Sequence, residues 1–239
     1  MDINSNVATS RLTAQERAID VIANNIANMN TPGFKAERTQ FSDWLDTQPD
    51  GSSVAYTEDR ATWHELSPGP LQQTGNPLDL AIAGDGYFTV STPAGPRLTR
   101  DGRFGVMPDG TIANSGGQAL MDMSGRPIRI SPTDTDLTVS SDGTLSSQNG
   151  VLATIGVVTP SNPMQLVAEG GTLFRSGSNT TQVAKRQIVQ GAIEESNVQP
   201  VAEMTRLIQG ERTFQFLTQY VQAESDRAKD AIDKIVPQS

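Results

Sequence analysis

The chain has no cysteine, so it can form no disulfide and offers no thiolate to a metal, a composition compatible with any compartment. It has one histidine, His64, whose neighbours Glu65 and Ser67 do not make a triad, because triads are assembled from positions distant in sequence. A surface histidine in a connector is the expectation there. Aromatic residues make up 5% and hydrophobic residues 36% of the 239 positions, thin for a single tight core. No apolar run reaches about 18 residues and no basic-then-apolar leader is visible, so neither a membrane span nor a conventional signal peptide is expected. If the protein leaves the cytoplasm, another export route carries it.

Recognisable chemistry is also missing. Gly84-Asp85-Gly86 has the glycines of a phosphate loop, but no helical pattern follows to present its N-terminus to a phosphate. Asp134, Asp136 and Asp142 lack the alternating oxygen ligands, the mid-loop glycine and the closing glutamate of a calcium loop, and read better as turn acids. Asp79 and Asp85, the remaining candidates for a carboxylate pair, fall in turn-like motifs. No catalytic, cofactor or metal site is expected. The net charge of −9 is uneven. Positions 37–197 carry 18 acids against 10 bases, whereas 1–36 and 198–239 are within one charge of neutral. An acidic middle argues against nucleic acid as a partner, and near-neutral ends suit contact with other protein.

What is present begins with positions 198–239, the longest helical pattern. Leu207, Phe214, Val221, Ala228 and Ile235 recur every seven residues, with Met204, Ile208, Leu217 and Ile232 beside them. A helix over the periodic part of this segment runs roughly 50 Å, more than a core of this size can cover. Its partner should be another helix, although Glu211, Thr218 and Ser225 fall where large apolar groups would complete an ideal seam. An ordinary amphipathic core helix is the plainer alternative.

Positions 2–30 supply the partner, with Ala8, Leu12, Ile19, Ile22, Ile26 and Met29 in alternating steps of three and four, interrupted at Gln15. Asn24 and Asn28 lie one turn apart, about 200° from Ile26. Asparagine is a poor helix former, so these two either mark a fraying end or meet a second neighbour, where carboxamides of identical copies could bond one another. The helix stops at Asn30-Thr31-Pro32-Gly33-Phe34. Pro32 turns Thr31 away from the helical region, Pro-Gly at the centre marks a type II turn with positive φ at Gly33, and Phe34 is expected to plug back against the helix pair.

Positions 35–75 read as an extended connector with one or two short strands, punctuated by Pro49-Asp50-Gly51 and Ser67-Pro68-Gly69-Pro70. Phe41, Trp44 and Leu45 could dock part of it onto the helices. From Asn76 to about Ser178 the period changes to two, in Leu78/Leu80/Ile82, Phe88/Val90, Ile128/Ile130, Leu137/Val139 and Ile155/Val157. Asp85-Gly86, Asp101-Gly102, Asp109-Gly110, Ser124-Gly125, Asp142-Gly143 and Asn149-Gly150 separate the runs as turns, which implies an all-β domain of small sheets or a sandwich. Positions 179–197 return the chain, and Ser196 or Asn197 is expected to cap the last helix, with Pro200 in its first turn.

Four stretches together resemble the flagellar basal-body rod and hook proteins, a family of axial subunits. They are Asn24-Asn25-Ile26-Ala27-Asn28-Met29-Asn30-Thr31-Pro32-Gly33-Phe34-Lys35, Thr74 to Ile82 with Gly84-Asp85-Gly86-Tyr87-Phe88, Leu98-Thr99-Arg100-Asp101-Gly102-Arg103-Phe104, and Gly191 to Val198 leading to Glu203-Met204. The short length and the brief link from Phe174 to Gly191 resemble the proximal-rod members more than the longer distal-rod members.

The expected fold is α+β: N- and C-terminal helices packed as a coiled coil, with an inserted all-β domain and an extended connector. The expected boundaries are 1–34, 35–75, 76–178, 179–197 and 198–239. The resemblance implies a structural subunit of the rod in the periplasmic part of the basal body. Such a subunit would be exported without a cleaved signal peptide and would assemble with other axial proteins and copies of itself into a torque-bearing tube around an export channel, with basal-body rings as further neighbours. Interface residues expected on this reading are Leu12, Ile19, Ile22, Asn24, Ile26, Asn28, Met29, Pro32, Gly33 and Phe34 on the N-terminal side. Met204, Leu207, Phe214, Leu217, Val221 and Ile232 are their C-terminal counterparts. The alternatives are a distal-rod member of the same family and, from a different class, a secreted β-domain that binds a ligand, with a helical stalk.

Overall fold

The computed structural model of the chain describes residues 3–47 and 53–235, with the backbone alone at 3–6, 41–47, 53–61, 228 and 231–235. Contacts divide it into two units, one comprising Met1–Met29, Ala36–Glu65 and Val198–Ser239, the other Asn30–Lys35 and Leu66–Asn197.

The first unit holds α1 (Ile3–Ala27), β1 (Glu37–Thr47), β2 (Ser53–His64) and α2 (Pro200–Ile235). Helix α1 packs against α2 and also against both strands. The helices run antiparallel: Gln15 Nε2 of α1 donates to the Gly210 carbonyl of α2 at 3.3 Å, and further along Ile22 lies beside Glu203 and Arg206. Gly210 allows this approach, since a Cβ there would stand 3.2 Å from both Gln15 Nε2 and Ile19 Cγ1. At this register about the last four turns of α2 extend past the start of α1, and the side chains of Ser225, Asp226, Arg227, Lys229 and Asp230 are all exposed.

The stretch read as a connector with short strands is in fact a hairpin. β1 and β2 pair antiparallel from Glu37↔His64 to Thr47↔Ser53, with an irregularity between Gln40 and Phe41. Its polar composition hid it, because few apolar positions alternate along the stretch to mark a strand period. The side chains of Phe41, Trp44 and Leu45, expected to dock on the helices, lie outside the described residues.

The seam of α2 also differs from the expected one. The inward positions are Glu203, Leu207, Gly210, Phe214, Leu217, Val221 and Glu224, in steps of four and three. Leu207, Phe214, Leu217 and Val221 were expected there, but Met204 and Ile208 are 47% and 51% exposed. Counting apolar residues placed the second row at Glu211, Thr218 and Ser225, one position off. Two true members of that row are Glu203, whose charge is paired, and Gly210, whose value is its lack of a side chain, so neither registers in a hydropathy pattern. Helix α2 begins at Pro200, and the Gln199 carbonyl accepts from the Glu203 amide at 3.0 Å. The cap position is therefore Gln199 rather than Ser196 or Asn197, and the Asn197 amide instead donates to the Ser67 carbonyl at 3.0 Å.

The second unit is built of short strands. They are β3 (Leu71–Gln73), β4 (Leu80–Ile82), β5 (Tyr87–Thr92), β6 (Gly95–Thr99), β7 (Phe104–Val106), β8 (Ile112–Asn114), β9 (Ala119–Leu120), β10 (Thr138–Val139), β11 (Thr144–Ser147), β12 (Gly150–Thr154), β13 (Val157–Pro160), β14 (Leu166–Ala168), β15 (Leu173–Ser176), β16 (Thr180–Gln182), β17 (Ile188–Gln190) and β18 (Ala192–Glu194). The largest sheet runs β14-β15-β6-β5-β9-β8-β7, with β13 joined to β5 and β16. A three-stranded sheet runs β10-β11-β12, and two pairs, β17-β4 and β18-β3, bring the returning chain back to the start of the unit. The alternation in β5 sorts its side chains into two cores. Phe88 and Val90 join Leu80, Ile112, Leu120, Leu145, Ile155 and Val157, and Tyr87 joins Leu98, Val158 and Phe174. Burying each of these large side chains is worth about 1.5–3 kcal/mol. Five of the six glycines expected in turns have positive φ, while Gly102 does not. Its need is for space, because a Cβ there would meet the Leu80 carbonyl oxygen at 1.6 Å.

Candidate functional site

The turn after α1 takes the expected form. The Phe34 amide donates to the Thr31 carbonyl at 3.2 Å around Pro32 and Gly33, and Gly33 has φ +69°. Pro32, Gly33, Phe34 and Lys35 are all buried within the second unit. Gly33 is needed twice over, since a Cβ would lie 2.3 Å from the Arg100 carbonyl carbon and the Asp101 amide, and its own amide donates to the Glu194 carbonyl at 2.8 Å.

That turn delivers Lys35 to a buried ionic cluster. Lys35 Nζ reaches Glu194 Oε1 at 2.5 Å and the Ser67 carbonyl at 2.8 Å. Arg100 Nη1 reaches the other oxygen, Glu194 Oε2, at 2.9 Å, and the Gly69 amide donates to Oε1 at 3.1 Å. The Lys35 and Glu194 side chains are 1% exposed and that of Arg100 5%. Arg100 also lies 5.3 Å from the centre of the Tyr87 ring and bonds the carbonyls of Ile82 and Gly84. Burial pushes the Tyr87 hydroxyl pKa up, against the pull of Arg100. A single carboxylate thus ties together the residue after the turn, the strand-end Arg100 and the returning β18. Each residue falls in one of the quoted motifs, but no pattern in the sequence brings them together, because the three are joined only by tertiary contact.

In the first unit, Leu12, Ile19, Ile22, Asn24 and Ile26 are half-buried on α1, Asn28 and Met29 in the turn that follows it, and Leu207, Phe214, Leu217 and Val221 on α2. Ile232 lies outside the described side chains. Asn28 Nδ2 donates to both the carbonyl and Oδ1 of Asn24, each at 2.9 Å, so this pair bonds to itself across the end of α1. The asparagine that sequence reading passed over is Asn25, fully buried. Its Nδ2 donates to the Glu37 carbonyl at 2.9 Å and its Oδ1 accepts from the Glu37 amide at 2.8 Å, so the side chain pairs with a strand as another strand's backbone would. Its place between Ile22 and Met29, in steps of three and four on the apolar stripe, was the available signal. Beside it, Arg38 Nη1 meets Glu203 at 2.6 Å, and Arg206 shares the same oxygen. Burial alone would lower the Arg38 pKa, but its bonds to Glu203 and Glu65 outweigh that and hold it above the ordinary value. These residues line a cleft of about 180 Å3 with Ala18, Val21 and Ile22.

The turn acids behave as turn acids. Thr111, Thr144 and the trio Asn149, Ser131 and Ser147 hold Asp109, Asp142 and Asp134 respectively below the usual carboxylate range by hydrogen bonding. Asp79 accepts from Thr74 and Asn76. Among the described residues no group of three or more His, Cys, Asp or Glu is arranged to hold a metal, and no helix is long and apolar enough to cross a membrane.

Three family descriptions match successive parts of the chain: "Flagella basal body rod protein" over residues 6–35, "Flagellar hook protein FlgE/F/G D1 domain" over 81–147, and "Flagellar basal body rod FlgEFG protein C-terminal" over 189–234. Among similar proteins, the flagellar basal-body rod protein FlgF of Caulobacter vibrioides is 35% identical over 98% of both chains. Its namesake in Mesorhizobium japonicum is 35% identical over 95% of both. The rod protein FlgG of Bacillus subtilis is 36% identical over 82% of this chain and 85% of its own.

Proposed function

Because the chain belongs to the flagellar basal-body rod protein family, whose members are structural rod components and not enzymes, we propose that it is a subunit of the proximal rod. On this reading it assembles with related axial proteins and with copies of itself into a helical tube that carries motor torque toward the hook and encloses the export channel. Contacts between copies are heterologous and do not close, which is what makes a tube rather than a ring. The two terminal helices form the axial layer as a coiled coil. The β-rich unit forms the outer layer in the periplasm, where rings of the basal body are further neighbours. Residues of the turn, Pro32, Gly33 and Phe34, shape the joint, and the apolar seam residues, with Asn24 and Asn28, make the helix layer.

The observation that carries this reading is the match of both chain ends to rod families, together with their packing as one antiparallel pair. A proximal rather than distal identity is supported by the fuller coverage of the FlgF-type relatives. The test is an in-frame deletion with complementation and purification of basal bodies. The deletion strain should be non-motile, and the complementing chain should co-purify with the rod. A motile deletion strain, or a chain absent from basal bodies, would overturn it.

A further inference from the structure

The seam residues of α2 are occupied within the chain, and that leaves a second apolar row on its opposite side. Val201, Met204, Ile208, Phe216 and Tyr220 are 79%, 47%, 51%, 67% and 45% exposed. From Met204 they follow i, i+4 spacing with Arg212 at the middle, so they form one continuous ridge along the helix. An exposed apolar row of this length on a soluble helix marks a contact surface. Arg212 makes no ion pair among the described residues.

We propose that this ridge docks onto the exposed face of α1 in a second copy of the chain. That face carries Thr13, Glu16, Asp20, Ala23 and Ala27, all exposed, in steps of three and four. It is low where the ridge is high and acidic where the ridge is basic. Like Arg212, Glu16 and Asp20 have no ion-pair partner among the described residues. Copies related by translation and rotation about an axis parallel to the helices present α2 of one to α1 of the next in antiparallel sense. Setting Arg212 between Glu16 and Asp20 then places Ile208 against Ala23, Met204 against Ala27 and Phe216 against Thr13, large against small at each level. The contact uses different surfaces on the two copies and so repeats without closing. It rests on the rod reading and names which faces meet.

The test uses the absence of native cysteine. A full-length chain carrying Ile208→Cys and Ala23→Cys is expressed in place of the native protein, basal bodies are isolated, and mild oxidation is followed by non-reducing electrophoresis. Bands at two and more times the monomer mass are expected, lost when Arg212→Glu is added and regained when Glu16→Lys and Asp20→Lys accompany it. Because all these side chains are exposed, circular dichroism of each variant should match the native chain. If the double-cysteine chain is present in basal bodies but gives no self-linked species, or links only to a different protein, this docking is wrong while the rod reading stands. If the native chain is absent from basal bodies, the rod reading itself has failed.

Discussion

Glu194→Ala should unfold the β-rich unit more readily than any surface change, because it strands two buried cations. Lys35 and Arg100 both direct their charge to Glu194, and their side chains are only 1% and 5% exposed. Water cannot replace the carboxylate without opening the site. Breaking a buried pair in this way costs about 3–5 kcal/mol, against a total stability of about 5–15 kcal/mol for a domain. Hydrogen exchange of the amides from Phe88 to Leu98, between the two cores, reads the loss directly. Since each 1.4 kcal/mol is about tenfold, exchange should accelerate by roughly two to three and a half orders of magnitude. Lys35→Met in the same background removes one of the stranded charges and should recover part of the loss. A salt series supplies the control: a buried pair is little screened, so the difference should persist in molar salt. An acceleration below about fivefold, equivalent to about 1 kcal/mol, would refute the reasoning and mean that the cluster is wetter or more adaptable than its geometry implies.

Four further outcomes follow from the same contacts. Gly33→Val forces a β-branched residue into left-handed backbone, at about 1–2 kcal/mol, and also drives a Cβ into the Arg100–Asp101 peptide. The variant should fail to incorporate into rods, and normal swimming in soft agar would count against the turn. Asn25→Ala leaves the Glu37 amide and carbonyl without the partner that now pairs with both, at about 1–3 kcal/mol for each group that stays buried. Urea unfolding followed by the fluorescence of Trp44 and Trp63 should move to lower denaturant, and an unmoved midpoint would mean that water satisfies the strand. Burial pushes the Asp101 pKa above its ordinary 3.8, so protonation favours the folded state and stability is lost as pH rises through the raised value. Asp101→Asn, which keeps an oxygen for the Arg103 amide, should raise Tm at neutral pH with a gain that fades below the ordinary value, and a gain unchanged at acid pH would contradict it. Finally, trypsin acting on dilute monomer should cut first at Arg227 and Lys229, whose side chains are exposed where α2 outruns α1, and these sites should resist cleavage in intact rods.

The amino-acid sequence alone determined the features that depend on near neighbours. The two terminal helices, the Pro32-Gly33 turn and most of the Asp-Gly and Asn-Gly turns follow from local backbone preference and short-range periodicity. The four motifs were enough to point to the rod family. Tertiary structure decided whatever needed a partner far along the chain. A hydropathy pattern has no means of finding Glu203 or Gly210 on the seam of α2, because one is admitted by Arg38 and the other by the closeness of Gln15 and Ile19. It can set Asn25 on the apolar stripe, but not show that its carboxamide meets the Glu37 backbone, which only folding brings opposite. Nor can it assemble Lys35, Arg100 and Glu194, whose charges are tolerable in the interior only together. Local geometry is written in adjacent residues, whereas the placing of a buried charge or a missing side chain depends on its surroundings, and those exist only once the chain has folded.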